Sequence, residues 1–139
     1  MLKDLIVNLA LHGSYDPTAE YALSIAQAFD AHIAGVAYAF KPVIPAGAAG
    51  GLATGIIDGA IAEGKRAATI ATERFGATAK QRDLSVEIHA VTAQLTEAAA
   101  HFGAIARRFD LSIVEQRHPH QTEPEDLFLE SVLFSSGRP

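Results

Sequence analysis

Short apolar runs alternate with amphipathic helical stretches along this chain. The run at residues 4–10, DLIVNLA, is apolar almost throughout, which is typical of a strand covered on both faces by helices in a parallel sheet. Similar runs follow at residues 32–39, HIAGVAYA, and at residues 111–114, LSIV. Strands that alternate with helices four times predict a parallel α/β sheet with right-handed crossovers.

Local signals place several helix ends. Asp16 is a predicted N-cap, with Pro17 at the first helical position, where a missing N–H costs nothing. The long second helix is predicted to end near Gly76. Thr122 and Glu125 have the spacing of a capping box, which predicts the start of the last helix.

Residues 86–91, VEIHAV, alternate between apolar and polar side chains. Alternation indicates a strand with one face toward water, whereas the other runs read as buried on both faces. We therefore expect this strand at an edge of the sheet.

Composition limits the class of protein. A chain of 139 residues that is 49% hydrophobic fits one domain, residues 1–139, with enough apolar side chains to fill a core. The net charge of -5 disfavours a nucleic acid partner. The absence of cysteine fits a reducing compartment. No stretch reads as a signal peptide or a membrane span, so we expect a cytoplasmic protein.

One segment resembles a phosphate-binding loop. GAIAEGKR, residues 59–66, matches Gly-x-x-x-x-Gly-Lys but carries Arg66 where a hydroxyl would bind magnesium. A phosphate loop must lie between a strand and a helix, and the surrounding apolar spacing places this segment inside the second helix. We interpret it as ordinary helix.

The histidines give a weak indication of a metal. His118 and His120 lie two residues apart and could share an ion, but nothing in the sequence fixes their rings, so a solvated loop is favoured over a metal site. The remaining four are interpreted as strand or helix residues with ordinary hydrogen bonds: His12, His32, His89 and His101. No serine has an oriented base, and we assign no catalytic residue.

Four stretches, together with the long second helix that begins in a Gly- and Ala-rich segment, resemble the universal stress protein family: DLIVNLALHGS, ALSIAQAFDAHIAGVAY, IARRFDLSIVEQ and LFLESVLFSSGRP. The resemblance covers essentially the whole chain. It implies a three-layer, Rossmann-like fold of the adenine nucleotide alpha hydrolase type, with strand order 3-2-1-4-5 and dimers often formed through the fifth strand. That strand should follow SGRP, where this sequence stops. We therefore expect the order 3-2-1-4, with the fifth strand missing or truncated.

The nucleotide-binding branch of that family carries Gly-x-x-Gly after strand 4, then nine residues, then Gly followed by Ser or Thr. Here Glu115 stands in place of the first glycine, His118 in place of the second, and Asp126 with Leu127 in the region of the last pair. Two carboxylates at the phosphate position would repel a triphosphate. No cofactor is expected, and ATP is disfavoured.

Strand 1 departs from the family pattern as well. The aspartate that holds the ribose in relatives is replaced by Ala10, or by His12 under the other placement of the gap. The residues that should line the altered pocket at the reversal of strand order are Ala10, His12, Gly13, Tyr38, Glu115, Gln116, His118 and Asp126.

The leading hypothesis is a non-catalytic, stress-associated regulatory or binding module. It would act as a homodimer, through the open edge of strand 4, or by docking a partner such as a second stress-protein domain. A second hypothesis is a binder or enzyme for a cation or a small non-phosphorylated ligand in the altered pocket. A third is an ATP-binding stress protein with a degenerate site.

Overall fold

A computed structural model describes residues 1–47, 54–115 and 125–139. The strands and helices alternate along the chain: β1 (Asp4–Asn8), α1 (Pro17–Phe29), β2 (His32–Phe40), α2 (Thr54–Gln81), β3 (Val86–Ala93), α3 (Leu95–Ala106), β4 (Leu111–Ile113) and α4 (Glu125–Ser131). The helix α4 continues into a wider π-helical segment, Val132–Ser136, which ends at Gly137 with φ of 65°.

Within the described residues the sheet has four parallel strands in the order β3-β2-β1-β4. The order 3-2-1-4 predicted from the sequence is confirmed. β3 lies at an edge, as its alternating pattern predicted, but residues 87–90 are exposed on both of its faces, where the pattern predicted only one. β4 forms the other edge, and the backbone N–H of Ser112 donates to the carbonyl of Pro139 at 3.0 Å.

Helices cover both faces of the sheet and make it the middle of three layers. One face packs against α1 and α2, with a core of Leu5, Val7, Ile33, Ala37, Leu23, Ala26, Ala71 and Phe75. The other packs against α3 and α4, with a core of Ile6, Ala34, Val36, Tyr38, Ala98, Phe102 and Phe128. Residues alternate between these two cores along each central strand, as the pleat requires.

The layers approach most closely at two glycines. A Cβ added at Gly35 in β2 would lie 2.6 Å from the ring of Phe75 in α2. The helix α2 therefore packs directly on the backbone of β2. A Cβ added at Gly103 in α3 would lie 2.4 Å from Oγ and 2.9 Å from the carbonyl of Ser131, where α3 crosses α4.

The second helix is longer than its sequence indicated. It runs to Gln81, so the predicted end near Gly76 is wrong. Gly76 lies within the helix, where a Cβ would come 3.0 Å from the side chain of Ile88, and close packing on β3 accounts for the glycine. Chain reversal occurs later, at Asp83 with φ of 54°. Residues 59–66 lie inside α2, as interpreted from the sequence.

In the three described ranges, none of the helices combines the length and the apolar character needed to cross a membrane. Thr122 of the predicted capping box lies outside the described residues.

Candidate functional site

The strand order reverses between β1 and β4. β1 pairs with β2 on one side and with β4 on the other, so the loops that leave the carboxyl ends of β1 and β4 depart on either side of one point. Open α/β sheets bind ligands in the crevice that such a reversal creates. The candidate site is therefore built from the loop between β1 and α1 and from the residues that follow β4.

A buried carboxylate organises the β1–α1 loop. Asp16 has extended backbone angles and precedes Pro17 at the start of α1, so it is the N-cap that the sequence predicted. One carboxylate oxygen accepts from the N–H of Ala19 at 3.0 Å, and the other accepts from the N–H of Ala10 at 2.8 Å. Only 4% of Asp16 is exposed. One of these donors, Ala19, belongs to the first turn of α1, where free N–H groups favour anions, and the other, Ala10, lies just after β1.

Arg74 of α2 reaches across to the same loop. Its guanidinium donates to the carbonyls of Ala10 at 2.8 Å and Gly13 at 2.6 Å, and it lies 4.0 Å from the carboxylate of Asp16. Gly13 has φ of 87°, a conformation that glycine adopts without strain. The loop is thus tied to α1 by Asp16 and to α2 by Arg74.

Four of the predicted pocket residues lie beside the reversal of strand order. Ala10, His12 and Gly13 are in the loop after β1, and Glu115 follows β4 with an exposed side chain. The interpretation of His12 as a strand or helix residue is wrong, because it lies in a bend of this loop and is exposed. Asp126 is in the first turn of α4 and is half-buried. Gln116, His118 and His120 lie outside the described residues.

Tyr38 does not line an open pocket. It is 1% exposed, and its ring packs against Phe102 at a centroid distance of 6.3 Å and against Phe128 at 5.2 Å. Its hydroxyl forms a hydrogen bond of 2.8 Å with Nδ1 of His101. Burial raises the pKa of Tyr38 well above its ordinary value. Tyr38 is a core residue of the layer formed by α3 and α4, and the prediction that it lines the site is wrong.

A small cavity of about 90 Å³ lies behind the loop, between α1 and α2. Its lining includes Ser14, Asp16, Glu20, Arg74, Phe75 and Thr78. Pockets that hold small molecules usually measure about 300–1,000 Å³, so this space is too small for a nucleotide or a typical metabolite.

Sequence reasoning missed how two of these residues act. Asp16 was identified as a helix cap, but the hydrogen bond back to Ala10 depends on the fold of the loop. Arg74 had no signal at all, since its partners lie 61 and 64 residues away in the chain. From the sequence alone, a single arginine on a long helix is indistinguishable from an ordinary surface residue.

Comparison with known proteins gives structural matches but no sequence matches. Neither a family model nor a curated protein matches the sequence. Among solved structures, universal stress protein UspA from Lactobacillus plantarum is similar with a TM-score of 0.62 and 13% identity, over 99% of this chain and 94% of that one. The universal stress protein from Archaeoglobus fulgidus is similar with a TM-score of 0.61 and 12% identity, over 100% and 96%.

A third similar structure is that of a universal stress family protein from Burkholderia pseudomallei. Its TM-score is 0.58 and its identity 19%, over 91% of this chain and 89% of that one. At such identities the likeness concerns the arrangement of the backbone, and it agrees with the strand order and the helix layers described above. Over nearly its whole length, the chain has the fold of the universal stress proteins.

Proposed function

We propose that this chain is a non-catalytic regulatory or binding module of the universal stress protein family, acting in the cytoplasm. Its nucleotide site is degenerate and does not take up ATP, and the protein works through self-association or through docking of a partner. The fold and the sequence resemblance support the family. The chemistry of the candidate site supports the exclusion of ATP.

The observation that carries this proposal is the carboxylate of Asp16. Backbone amides at the start of a helix are the groups that bind phosphate in many α/β proteins. Here the N–H groups of Ala10 and Ala19 already donate to this internal anion, which is buried. A phosphate at that point would have to displace the carboxylate or lie beside it.

Glu115 adds a second acidic group. It follows β4, the strand that pairs directly with β1, so both loops at the reversal of strand order carry a carboxylate. Arg74 offsets part of this charge, but its guanidinium also donates to two backbone carbonyls in the loop. Repulsion of a triphosphate by these carboxylates disfavours ATP.

A thermal-shift titration with ATP and magnesium tests the proposal. A ligand present at a hundred times its Kd stabilises the native state by about 2.7 kcal/mol, which raises the melting temperature by several degrees in a domain of this size. We expect no shift for the wild-type chain at millimolar ATP. A shift of several degrees would contradict the proposal.

A gain-of-function variant sharpens the test. Replacing Glu115 and His118 with glycine, and Asp126 and Leu127 with Gly-Ser, introduces the residues of the nucleotide-binding branch. We expect this variant to bind ATP at least about tenfold more tightly than the wild type, a gain of about 1.4 kcal/mol. Leu127 packs against the core, so the melting temperature without ATP must be measured for each protein.

Self-association is proposed through the edge of β4. A groove of about 470 Å³ runs beside this edge, lined by Pro17, Thr18, Tyr21 and Ile25 of α1 together with residues 111–114. On this edge the N–H of Ser112 already donates to the carbonyl of Pro139, and the apolar groove beside it is the surface that a second copy can cover by two-fold symmetry.

Two matched substitutions test this interface by sedimentation. Tyr21 in the groove is 65% exposed and Ile70 on α2 is 53% exposed, so neither side chain is needed to fill the core. We expect a dimer for the wild type, at least about tenfold weaker association for Tyr21→Glu, and unchanged association for Ile70→Glu. A wild type that stays monomeric, or equal effects of the two changes, would refute the β4 interface.

A further inference from the structure

The outer edge of β3 carries the backbone groups needed to bind a further strand. Among the described residues β3 pairs with β2 alone, along Val86–Ala93. The N–H of Lys41 donates to the carbonyl of Ala93, which therefore faces β2. Because backbone groups alternate in direction along a strand, residues 86, 88, 90 and 92 direct their N–H and C=O groups away from β2.

The side chains in the middle of β3 are exposed on both faces of the sheet, at residues 87–90. Glu87 and His89 pair with Ala34 and Val36 of β2, so they lie on the face that α3 and α4 cover elsewhere. Ile88 lies on the opposite face, next to α2, and is 37% exposed. Strands of a parallel α/β sheet are normally covered on both faces, so these side chains suit a strand that a partner covers.

We propose that the β3 edges of two copies of this chain pair as antiparallel strands about a two-fold axis at Ile88. In this register Ile88 lies opposite Ile88 of the second copy, and Val86 lies opposite Ala90. All of these residues direct their backbone groups outward, so each such pair exchanges two hydrogen bonds. The result is one continuous sheet through both copies.

The charged side chains select this register. With the axis at Ile88, Glu87 lies opposite His89 of the second copy at the positions where side chains of antiparallel strands are closest. An axis at Glu87 would place two carboxylates opposite each other, and an axis at His89 would place Glu87 opposite the apolar Val91. Charges on an edge strand normally prevent pairing. Here two-fold symmetry supplies an imidazole for each carboxylate.

The helix α2 leaves room for the second copy. A Cβ at Gly35 of β2 would meet the ring of Phe75, and a Cβ at Gly76 would meet Ile88 of β3, so α2 lies over the groove between these two strands. The two-fold axis lies half a strand spacing beyond β3. With strands about 4.8 Å apart, the two copies of α2 would lie about 10 Å apart, the usual separation of packed helices.

Charges on α2 match across the same axis. The two copies of this helix run antiparallel, with Gly76 near the axis because it lies beside Ile88. Glu73 and Lys80 lie about one turn to either side of Gly76 on the same flank of the helix, and both are exposed. Glu73 of one copy is thereby brought level with Lys80 of the other. This second match favours another copy of the chain over an unrelated strand.

The β3 contact goes beyond the self-association proposed through β4. β3 and β4 are the two opposite edges of the sheet, so a chain can use both at once. The β3 contact consists mainly of backbone hydrogen bonds and exposed charges, with Ile88 as its central apolar side chain. We therefore expect it to be the weaker of the two, and to join β4 dimers as the protein concentration rises.

Disulfide trapping with Ile88→Cys tests the β3 contact. The chain has no cysteine, so a disulfide-linked dimer of this variant must join residue 88 of two copies. Hydrogen-bonded antiparallel pairs have Cα atoms about 5.5 Å apart, and disulfides span about 4.4–6.8 Å. The matched control is Ile70→Cys, because Ile70 is 53% exposed and collides with other copies more freely than Ile88 at 37%.

We expect Ile88→Cys to cross-link under mild oxidation at least about tenfold faster than Ile70→Cys, because pairing holds the two thiols together. Adding Glu87→Lys should slow the cross-linking by at least about fivefold, and adding Glu87→Lys with His89→Glu should restore it, since the exchanged charges again lie opposite each other. Equal rates for the two cysteine variants, or no effect of Glu87→Lys, would overturn the proposal.

Sedimentation of chains without a cysteine gives an independent readout from exposed positions alone. In the Tyr21→Glu background, which weakens the β4 contact, we expect association at high protein concentration that Glu87→Lys weakens by at least about fivefold and Glu87→Lys/His89→Glu restores. The same association in all three proteins would overturn the proposal. The cross-linking at residue 88 does not involve the β4 contact or ATP, so this proposal and the proposed function can fail separately.

Discussion

Removal of the Asp16 carboxylate should destabilise the protein more than most substitutions in a loop do. Asp16→Ala removes the N-cap of α1, which costs about 1 kcal/mol. It also leaves the half-buried N–H of Ala10 without its acceptor, at a cost of about 1–3 kcal/mol. The sum is a loss of about 2–4 kcal/mol in the free energy of unfolding.

Asp16→Asn is the matched variant. An asparagine keeps one oxygen that can accept from the N–H of Ala19, but its amide group turns a donor toward the N–H of Ala10. We expect a loss about half that of the alanine variant, because the cap survives and the second bond does not.

Urea unfolding of the three proteins measures these free energies, and melting temperatures should fall by about 3 °C per kcal/mol in a domain of this size. Hydrogen exchange at Ala10 should accelerate in both variants, since its amide loses its acceptor. A loss below about 0.5 kcal/mol for Asp16→Ala, the level of an ordinary surface substitution, would refute the reasoning.

Three other predictions concern packing and pH. Gly35→Ala should cost about 1–3 kcal/mol in chemical denaturation, because the new Cβ would lie 2.6 Å from the buried ring of Phe75. Gly103→Ala should cost a similar amount, about 1–3 kcal/mol, because it meets both the hydroxyl and the backbone carbonyl of Ser131; melting curves that match the wild type would show that α3 and α4 can separate freely. Hydrogen bonds from two backbone amides at the start of β1 hold the pKa of Asp110 below its ordinary value of 3.8. The ionised carboxylate therefore stabilises the fold above that pH, and this stabilisation is lost as the pH falls through the folded pKa. Asp110→Asn should flatten the dependence of the free energy of unfolding on pH in this acidic window. If this dependence is the same in the variant as in the wild type, Asp110 is not the group responsible.

Much of the fold could be predicted because its signals are local. The apolar run of β1, the alternation in β3 and the Asp16–Pro17 cap each depend on residues close in the chain, and the structure confirms all three. Family resemblance supplied the strand order, which local patterns alone do not determine.

The errors have a common physical cause, which is packing between distant segments. Gly76 carries the usual signal for a helix end, yet α2 continues because the glycine allows close contact with β3. Tyr38 is among the predicted pocket residues, but its ring packs against Phe102 of α3 and Phe128 of α4. The contacts of Arg74 with the β1–α1 loop became visible only when the strands and helices were placed side by side.

We propose that the chain's own carboxylates exclude ATP from the candidate site. Isothermal titration of the wild-type protein with ATP and magnesium measures whether they do. We expect no saturable heat up to about 1 mM ATP, which corresponds to a binding free energy weaker than about -4 kcal/mol. Saturable binding with a micromolar Kd would contradict it, and would mean that the loops after β1 and β4 accept a triphosphate despite Asp16 and Glu115.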